Sequence, residues 1–486
     1  MTAARFWSVL LSRDLWSRTA AGSWSVLNTR YLGSGTTALR GSCSGGPAAK
    51  TSSELVQGGE EAGSLNAETE TAGASRTNTR PAAGHPMGSS NGRLFSTMAQ
   101  PLSSIAPLAR PHLHPEDQDQ DQETDGEVDA QANPEQLLRQ CEEALRRRPA
   151  RPHRDLVSTH GPAHCCHYSA EPSIRVMQWN ILAQALGEGK DGFVRCPLDA
   201  LDWQERKYLI LEEILTHRPD IVCLQEVDHY YDTFLPVMAS LGYQGSFLAK
   251  PRSPCLDVEH NNGPDGCALF YSRARFSSTA TDHLRLSAMM LPTNQVAIVQ
   301  TLRCRASGQQ LCVAVTHLKA RSGWERFRSA QGADLLHRLQ AITSRVAAAT
   351  SSSSSSSTAA ESGASGGQAG DPPLVVCGDF NAEPWEDVYR RFLESPLRLD
   401  SAYRLLSADG QTEPSFTTWK IRPSGECRST LDYIWYSHDS LSVDMLLDIP
   451  SEEQVGPDRL PSYHYPSDHL SLLCDLSFKE RPHRLM

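Results

Sequence analysis

From about residue 172 to 480 the chain alternates short apolar runs with stretches in which apolar positions recur three and four residues apart. Unbroken or alternating apolar runs predict strands, and the 3.6-residue period predicts helices. Residues 174–180 (IRVMQWN) and 220–225 (DIVCLQ) read as strands, with a helix over 203–215 between them. Further strands are predicted at 268–271, 295–302, 311–316, 374–377, 431–436 and 470–478, and a second long helix over 324–346. Strand pairs interleaved with helices indicate an α/β sandwich built around sheets. Residues 347–373 form a Ser/Gly-rich tract that lacks packing side chains, which predicts a flexible loop.

The residues before this block follow a different pattern. Residues 1–50 hold 6 basic residues and 1 acidic, with apolar Phe6, Trp7, Val9, Leu10 and Leu11 near helical spacing. That is the composition of a mitochondrial transit peptide. Residues 51–134 are rich in Gly, Ser, Thr, Glu and Pro, and 51–171 is expected to be a disordered acidic linker. One amphipathic helix interrupts it near 134–149, with Leu137, Leu138, Cys141 and Leu145 on one face. A product starting at Met87 would lack the basic segment and stay in the cytoplasm. His160, His164, Cys165, Cys166 and His167 invite a zinc reading, but adjacent cysteines fit zinc poorly, and linker is the better reading. The odd total of 13 cysteines suggests reduced thiols.

Charge and hydropathy narrow the function. The formal charge of −11 argues against a generally basic nucleic-acid coat, though not against a local basic cleft. No stretch approaches the roughly 18 continuous apolar residues of a membrane span. A monomer is expected.

The polar residues fall at the ends of the predicted strands. Asn180 follows the first and Gln225-Glu226 the second. His317 and Lys319 end VAVTHLK, Asp379 and Asn381 sit in GDFNAEP, Asp432 starts LDYIW, and Asp468-His469 precedes LSLLC. Singly, each has a bland reading: a turn Asn, a solvated Glu, a structural His. Their recurrence at strand ends points to one rim. Glu226 with amide and carboxylate oxygens nearby makes a hard-cation site suited to Mg²⁺, with Mn²⁺ as the alternative. His469, held by Asp432 or Asp468, would act as general base or steer phosphate oxygens. Asp379 would orient or deprotonate water, and Asn381 would fix the phosphate. Together they describe metal-assisted hydrolysis of a phosphate ester.

QWNILAQ, LQEVD, THLKAR, GDFNAEP, LDYIWYS and PSDHL resemble the successive motifs of the endonuclease/exonuclease/phosphatase superfamily. The resemblance covers about 172–480 and extends to the carbon-catabolite-repressor-type deadenylases. It implies a four-layer α/β sandwich, with two mixed sheets face to face and helices outside. It also implies that Glu226 is the principal Mg²⁺ ligand, that Asn180, Asp379 and Asn381 are further metal and phosphate contacts, and that Asp468 is a second-metal contact. Asp432 and His469 match the catalytic Asp–His pair, and His317 the His that contacts the scissile phosphate.

Within the superfamily, THLKAR, KPRSPCLDVEHNNGPDG and TWKIRPSGECR resemble one branch. That resemblance implies removal of the 2′-phosphate of NADP⁺ or NADPH, giving NAD⁺ or NADH, with links to metabolic and circadian regulation. It adds Arg422 as a substrate contact. The deadenylase relatives imply the alternative, a 3′-exoribonuclease acting on poly(A). Lys250, Lys319 and Arg321 would form a compact basic group, suited to a small dinucleotide with a pyrophosphate and a terminal phosphate. A long RNA strand, the less favoured partner, would want an extended basic groove with stacking aromatics. Asp202 and Arg206 are spaced to pair at i and i+4 on their helix in a supporting role. Met289-Met290 and Tyr230-Tyr231 are expected to pack in the core or at its rim.

Overall fold

The computed structural model describes residues 132–159, 172–354 and 371–479. The basic segment 1–50, most of the acidic linker, the His160–His167 cluster and the centre of the Ser/Gly tract lie outside the described residues. Fifteen strands are present among those described: β1 (Leu156–Ser158), β2 (Ile174–Asn180), β3 (Ile221–Val227), β4 (Tyr243–Ala249), β5 (Gly266–Ser272), β6 (Phe276–Ala288), β7 (Leu291–Cys304), β8 (Gln310–His317), β9 (Leu374–Asp379), β10 (Leu399–Ser401), β11 (Thr418–Arg422), β12 (Gly425–Ser429), β13 (Asp432–Ser437), β14 (Leu441–Leu447) and β15 (Leu472–Phe478).

They form a seven-stranded sheet in the order β1-β14-β15-β2-β3-β5-β4, a six-stranded sheet in the order β10-β13-β9-β8-β7-β6, and the hairpin β11-β12. Among the described strands only β2–β3 and β8–β9 pair in parallel, each near the middle of its sheet. Alternation along each strand sends one set of side chains inward and the other outward. Val176, Cys223 and Leu269 from one sheet meet Ile298, Val313, Val375 and Ile434 from the other in the central core. On the outer face of the first sheet, Met177, Trp179 and Leu224 pack with Ile210 and Ile214 of the helix Trp203–His217. On the outer face of the second, Val299, Ala314 and Val376 pack with Leu335, Leu339 and Ile342 of the helix Glu325–Ser354. The expected layering of helix, sheet, sheet and helix is therefore present.

Three expectations change. Residues 132–159 are not linker but part of the folded body. Asn133 caps the helix Pro134–Leu145 by accepting from Glu135 N at 2.9 Å, and Leu137, Cys141 and Leu145 bury against Leu211, Leu215 and Val237. β1 then adds to the sheet edge, and Arg154 donates to Asp448 O at 2.7 Å and to Ser471 O at 2.9 Å. Composition averaged over 120 residues could not show that this stretch has an apolar partner surface. The second long helix continues past 346 to Ser354, into the tract expected to be a loop. Met289 and Met290 do not pack in the core. They form an exposed turn between β6 and β7, both with positive φ, and Met290 is 98% exposed. Of the tyrosine pair, Tyr230 is buried and Tyr231 is 73% exposed.

Candidate active site

Strand register brings the polar ends together. In open α/β sheets the carboxyl ends of parallel strands are where sites are built. Here both parallel pairs end at one rim. Asn180 at the end of β2 lies beside Gln225 of β3, and His317 at the end of β8 lies beside Asp379 of β9. Asp432, the first residue of antiparallel β13, is on the other side of Asp379. The β3–β5 pairing slips between Leu224 and Val227, and Glu226 in that irregularity has φ of 57°. A bulge re-aims a side chain, and a non-glycine residue in the left-handed region is a backbone cost commonly found at functional sites.

Asn180 Nδ2 links the two sheets, donating to Glu226 Oε1 at 3.1 Å and to Asp379 Oδ2 at 3.0 Å. Glu226 Oε2 accepts from Ala183 N at 3.2 Å. Beneath them, Gln178 and Gln225 exchange two amide hydrogen bonds at 2.7 Å in the buried floor. Burial pushes the Glu226 carboxyl up to about 7, against the pull of Lys250 and with the help of Asp191, Asp468 and Asp265. This gathering of carboxylates around a buried oxygen donor is what a divalent cation relieves. The donors are hard oxygens, so the residues present fit Mg²⁺ or Mn²⁺. Glu226, with Asn180 and Asp379 adjoining, would hold it.

A second group carries protons. Atoms of Asp379, Asp432 and His469 lie within 4.8 Å of one another. His469 Nδ1 is 2.8 Å from Asp432 Oδ2, which also accepts from Thr417 Oγ1 at 2.6 Å. The turn that carries His469 is anchored by Ser467 Oγ donating to Asn180 O at 2.6 Å and by Trp179 Nε1 donating to His469 O at 2.8 Å. Burial disfavours the imidazolium, but Asp432, Asp468 and Asp379 outweigh it and raise His469 to about 9. His469 is therefore an imidazolium at neutral pH. A charged imidazole is suited to steering phosphate oxygens. Burial raises the Asp379 carboxyl to about 6, with His469 pulling the other way.

The partner of His469 is thus Asp432. Asp468 is held instead by Lys420 Nζ, with Arg422 at 3.7 Å and His469 Nε2 at 3.8 Å. Lys420, together with its charge, keeps Asp468 ionised well below the ordinary carboxylate range despite burial.

His317 faces the opposite balance. Burial, then Lys250 and His469, hold it well below its ordinary value, so its ring is neutral. Its Nδ1 accepts from Lys250 Nζ at 3.2 Å, which leaves the Nε2 proton facing Asp379 Oδ2 at 3.4 Å. Lys250 also donates to Asp265 Oδ2 at 2.6 Å. Burial opposes the Lys250 charge, but Asp265 and Glu226 hold it above its ordinary value.

The remaining predicted contacts sit further out. Asn381, with φ of 50°, donates its backbone N–H to Asp379 Oδ1 at 2.8 Å and its Nδ2 to Leu318 O at 3.2 Å. Lys319 and Arg321 are on the loop that leaves β8. Lys319 is half-buried, its Nζ 5.1 Å from the centre of the Trp324 ring, and Arg321 is exposed. Arg422 pairs with Asp191 at 3.1 Å as well as approaching Asp468. The expected Asp202–Arg206 pair is not made. Asp202 caps its own helix by accepting from Gln204 N at 2.9 Å. Arg206 is fully buried and donates to Pro466 O and Ile181 O, both at 2.6 Å, so its support is to the loops behind Asn180 and Asp468.

Sequence reasoning did not single out Lys420, Asp265, Asp191 or Thr417. Lys420 was findable, because it shares a strand face with Arg422 two residues on.

The Endonuclease/Exonuclease/phosphatase family matches residues 177–469. Nocturnin of Mus musculus is 56% identical over 422 residues, which cover 85% of this chain and 88% of that protein. The solved human nocturnin catalytic domain with bound sulfate anion is 55% identical, has a TM-score of 0.54, and covers 68% of this chain and 99% of that one. The CCR4-Not complex 3′-5′-exoribonuclease subunit Ccr4 of Yarrowia lipolytica is 30% identical over 320 residues, covering 59% of this chain and 45% of that protein.

Proposed function

The chain belongs to the endonuclease/exonuclease/phosphatase family, and within that family of phosphoester hydrolases we propose that it is the Mg²⁺-dependent phosphatase that removes the 2′-phosphate from NADP⁺ and NADPH. The observation that carries this reading is a set of neighbouring cations at one side of the site: burial, then Arg321 and Lys250, push the Lys319 ammonium below its ordinary value. Lys250 Nζ reaches His317 Nδ1 at 3.2 Å, and Lys319 and Arg321 follow His317 by two and four residues. A terminal phosphate and a pyrophosphate present dense negative charge over a short span, which such a set matches. The relative solved with a bound sulfate anion supports an oxyanion ligand.

A bound divalent cation supplies polarisation of the phosphoryl oxygen and neutralises charge gathered in the transition state. The residues do the rest. Asp379 orients the water and accepts its proton, since a carboxyl near 6 is ionised yet still basic at neutral pH. His469 holds its Nε2 proton towards the phosphate and the departing 2′-oxygen. Neutral His317 would turn its Nε2 proton from Asp379 to a phosphate oxygen, with the Lys250 charge behind it.

Lys319→Ala tests the substrate. It is expected to raise KM for NADPH roughly tenfold or more, since a hydrogen bond to a charged group is worth about 1.5–3 kcal/mol. Hydrolysis of bis(p-nitrophenyl) phosphate, which has no second phosphate, should change little. Equal losses on both substrates would remove the argument from the basic cluster. A second reading, 3′-exonuclease action on poly(A), rests on the 30% identity to the Ccr4 exoribonuclease subunit.

A further inference from the structure

One buried arginine outside the catalytic set holds both loops that carry the outer substrate contacts. Arg328, in the first turn of the helix Glu325–Ser354, is 2% exposed. Its Nη1 donates to Arg321 O at 2.8 Å and to Lys319 O at 3.1 Å. Its Nε and Nη2 form a fork on Glu386, at 3.0 and 2.9 Å. Glu386 is itself 5% exposed, and its Oε1 also accepts from Glu383 N at 3.2 Å. One guanidinium thus ties the loop of Lys319 and Arg321 to the loop that follows Asn381.

The energetics require this geometry. A buried charge persists only where it is paired and its N–H groups are used, and a planar fork is the one side chain that can serve a carboxylate and two carbonyls at once. The carbonyls are also the right ones. Arg321 sits at φ of 82°, a strained conformation for a residue with a side chain, so its backbone must be held from outside. Gln331, one turn further along the same helix, holds the other end by accepting from Lys319 N at 3.1 Å. The Lys319 and Arg321 side chains therefore leave a backbone held at both ends, and a backbone fixed in advance is the condition for cations to discriminate between anions.

We infer that Arg328 is a positioning residue that sets substrate specificity by holding the Lys319–Arg321 loop against the Asn381 loop through Glu386. This rests on the reading of Lys319 and Arg321 as phosphate contacts. Arg328 touches neither the reacting atoms nor the cation site.

The test is Arg328→Lys in the full chain with Mg²⁺. Lysine keeps the charge and loses the fork. The expected result is a KM for NADPH raised about tenfold or more with kcat within about threefold, while kcat/KM for bis(p-nitrophenyl) phosphate stays within about twofold. Glu386→Gln, which keeps the shape and removes the charge, should move KM in the same direction, and it carries the test if Arg328→Lys does not fold. An unchanged KM would overturn the proposal. So would an equal fall in kcat/KM on both substrates, the signature of a merely structural arginine. The unsubstituted chain separates this outcome from the parent reading. If it releases no phosphate from NADPH, that reading fails, and the same KM-against-kcat comparison on oligo(A) decides the role of Arg328.

Discussion

Glu226→Ala is expected to abolish hydrolysis of every substrate, with a loss of about 10³-fold or more in kcat. The size follows from the cation's role. Polarising the phosphoryl oxygen and neutralising its charge supply several kcal/mol, and each 1.4 kcal/mol is about a factor of ten in rate. Glu226 is the carboxylate that the β3 irregularity turns out towards the rim, and Asn180 cannot replace its charge. Two measurements check this. Calorimetric titration with Mg²⁺ should lose its binding signal, and thermal unfolding should stay close to that of the unsubstituted chain, since removing a buried carboxyl held up near 7 takes away an unfavourable burial. Retained activity together with retained Mg²⁺ binding would show that the cation is held elsewhere.

The second large effect concerns the proton on His469. Asp432→Asn removes the hydrogen-bonded carboxylate that does most to raise the His469 pKa, and it also disturbs the bonds from Thr417 and Gln178. A loss of about 10²–10⁴-fold in kcat is expected, the range for a positioned proton-carrying group. Its pH dependence is distinctive. In the unsubstituted chain the alkaline limb of activity should fall near 9, where His469 gives up its proton, and the acid limb should rise through about 6 as Asp379 ionises. In Asp432→Asn the alkaline limb should move down towards the ordinary histidine range, about 6.5. The deficit should therefore be smaller at pH 6 than at pH 8.5. A deficit independent of pH would contradict the assignment of an imidazolium. Linkage has the same sign: a histidine raised to about 9 contributes stability that is fully present below about 6.5 and is lost as pH rises through 9.

The site was legible because its residues stand at the ends of apolar runs, and parallel pairing carries those ends to one rim. What the chain order could not show was who pairs with whom. Asp468 adjoins His469 in sequence, yet Asp432, 37 residues away, makes the bond, because β13 pairs with β9 while Lys420 occupies Asp468. Arg206 and Arg328 fall on helices, where a charge ordinarily reads as solvated. Each is buried because its partners come from distant loops, as with Glu386, 58 residues from Arg328. Met289-Met290 misled for the converse reason. Apolarity favours burial, but a hairpin tip has nothing to bury against. The segment 132–159 was hidden by averaging: three apolar residues on one helix face suffice to dock it, and they do not alter the composition of the stretch around them.

The most direct measurement offers the full chain NADPH and, separately, oligo(A), each with Mg²⁺, and follows inorganic phosphate and shortening of the oligonucleotide. The account predicts stoichiometric phosphate and NADH from NADPH, little or no laddering of oligo(A), and loss of both signals in Glu226→Ala. Laddering of oligo(A) without phosphate from NADPH would contradict it.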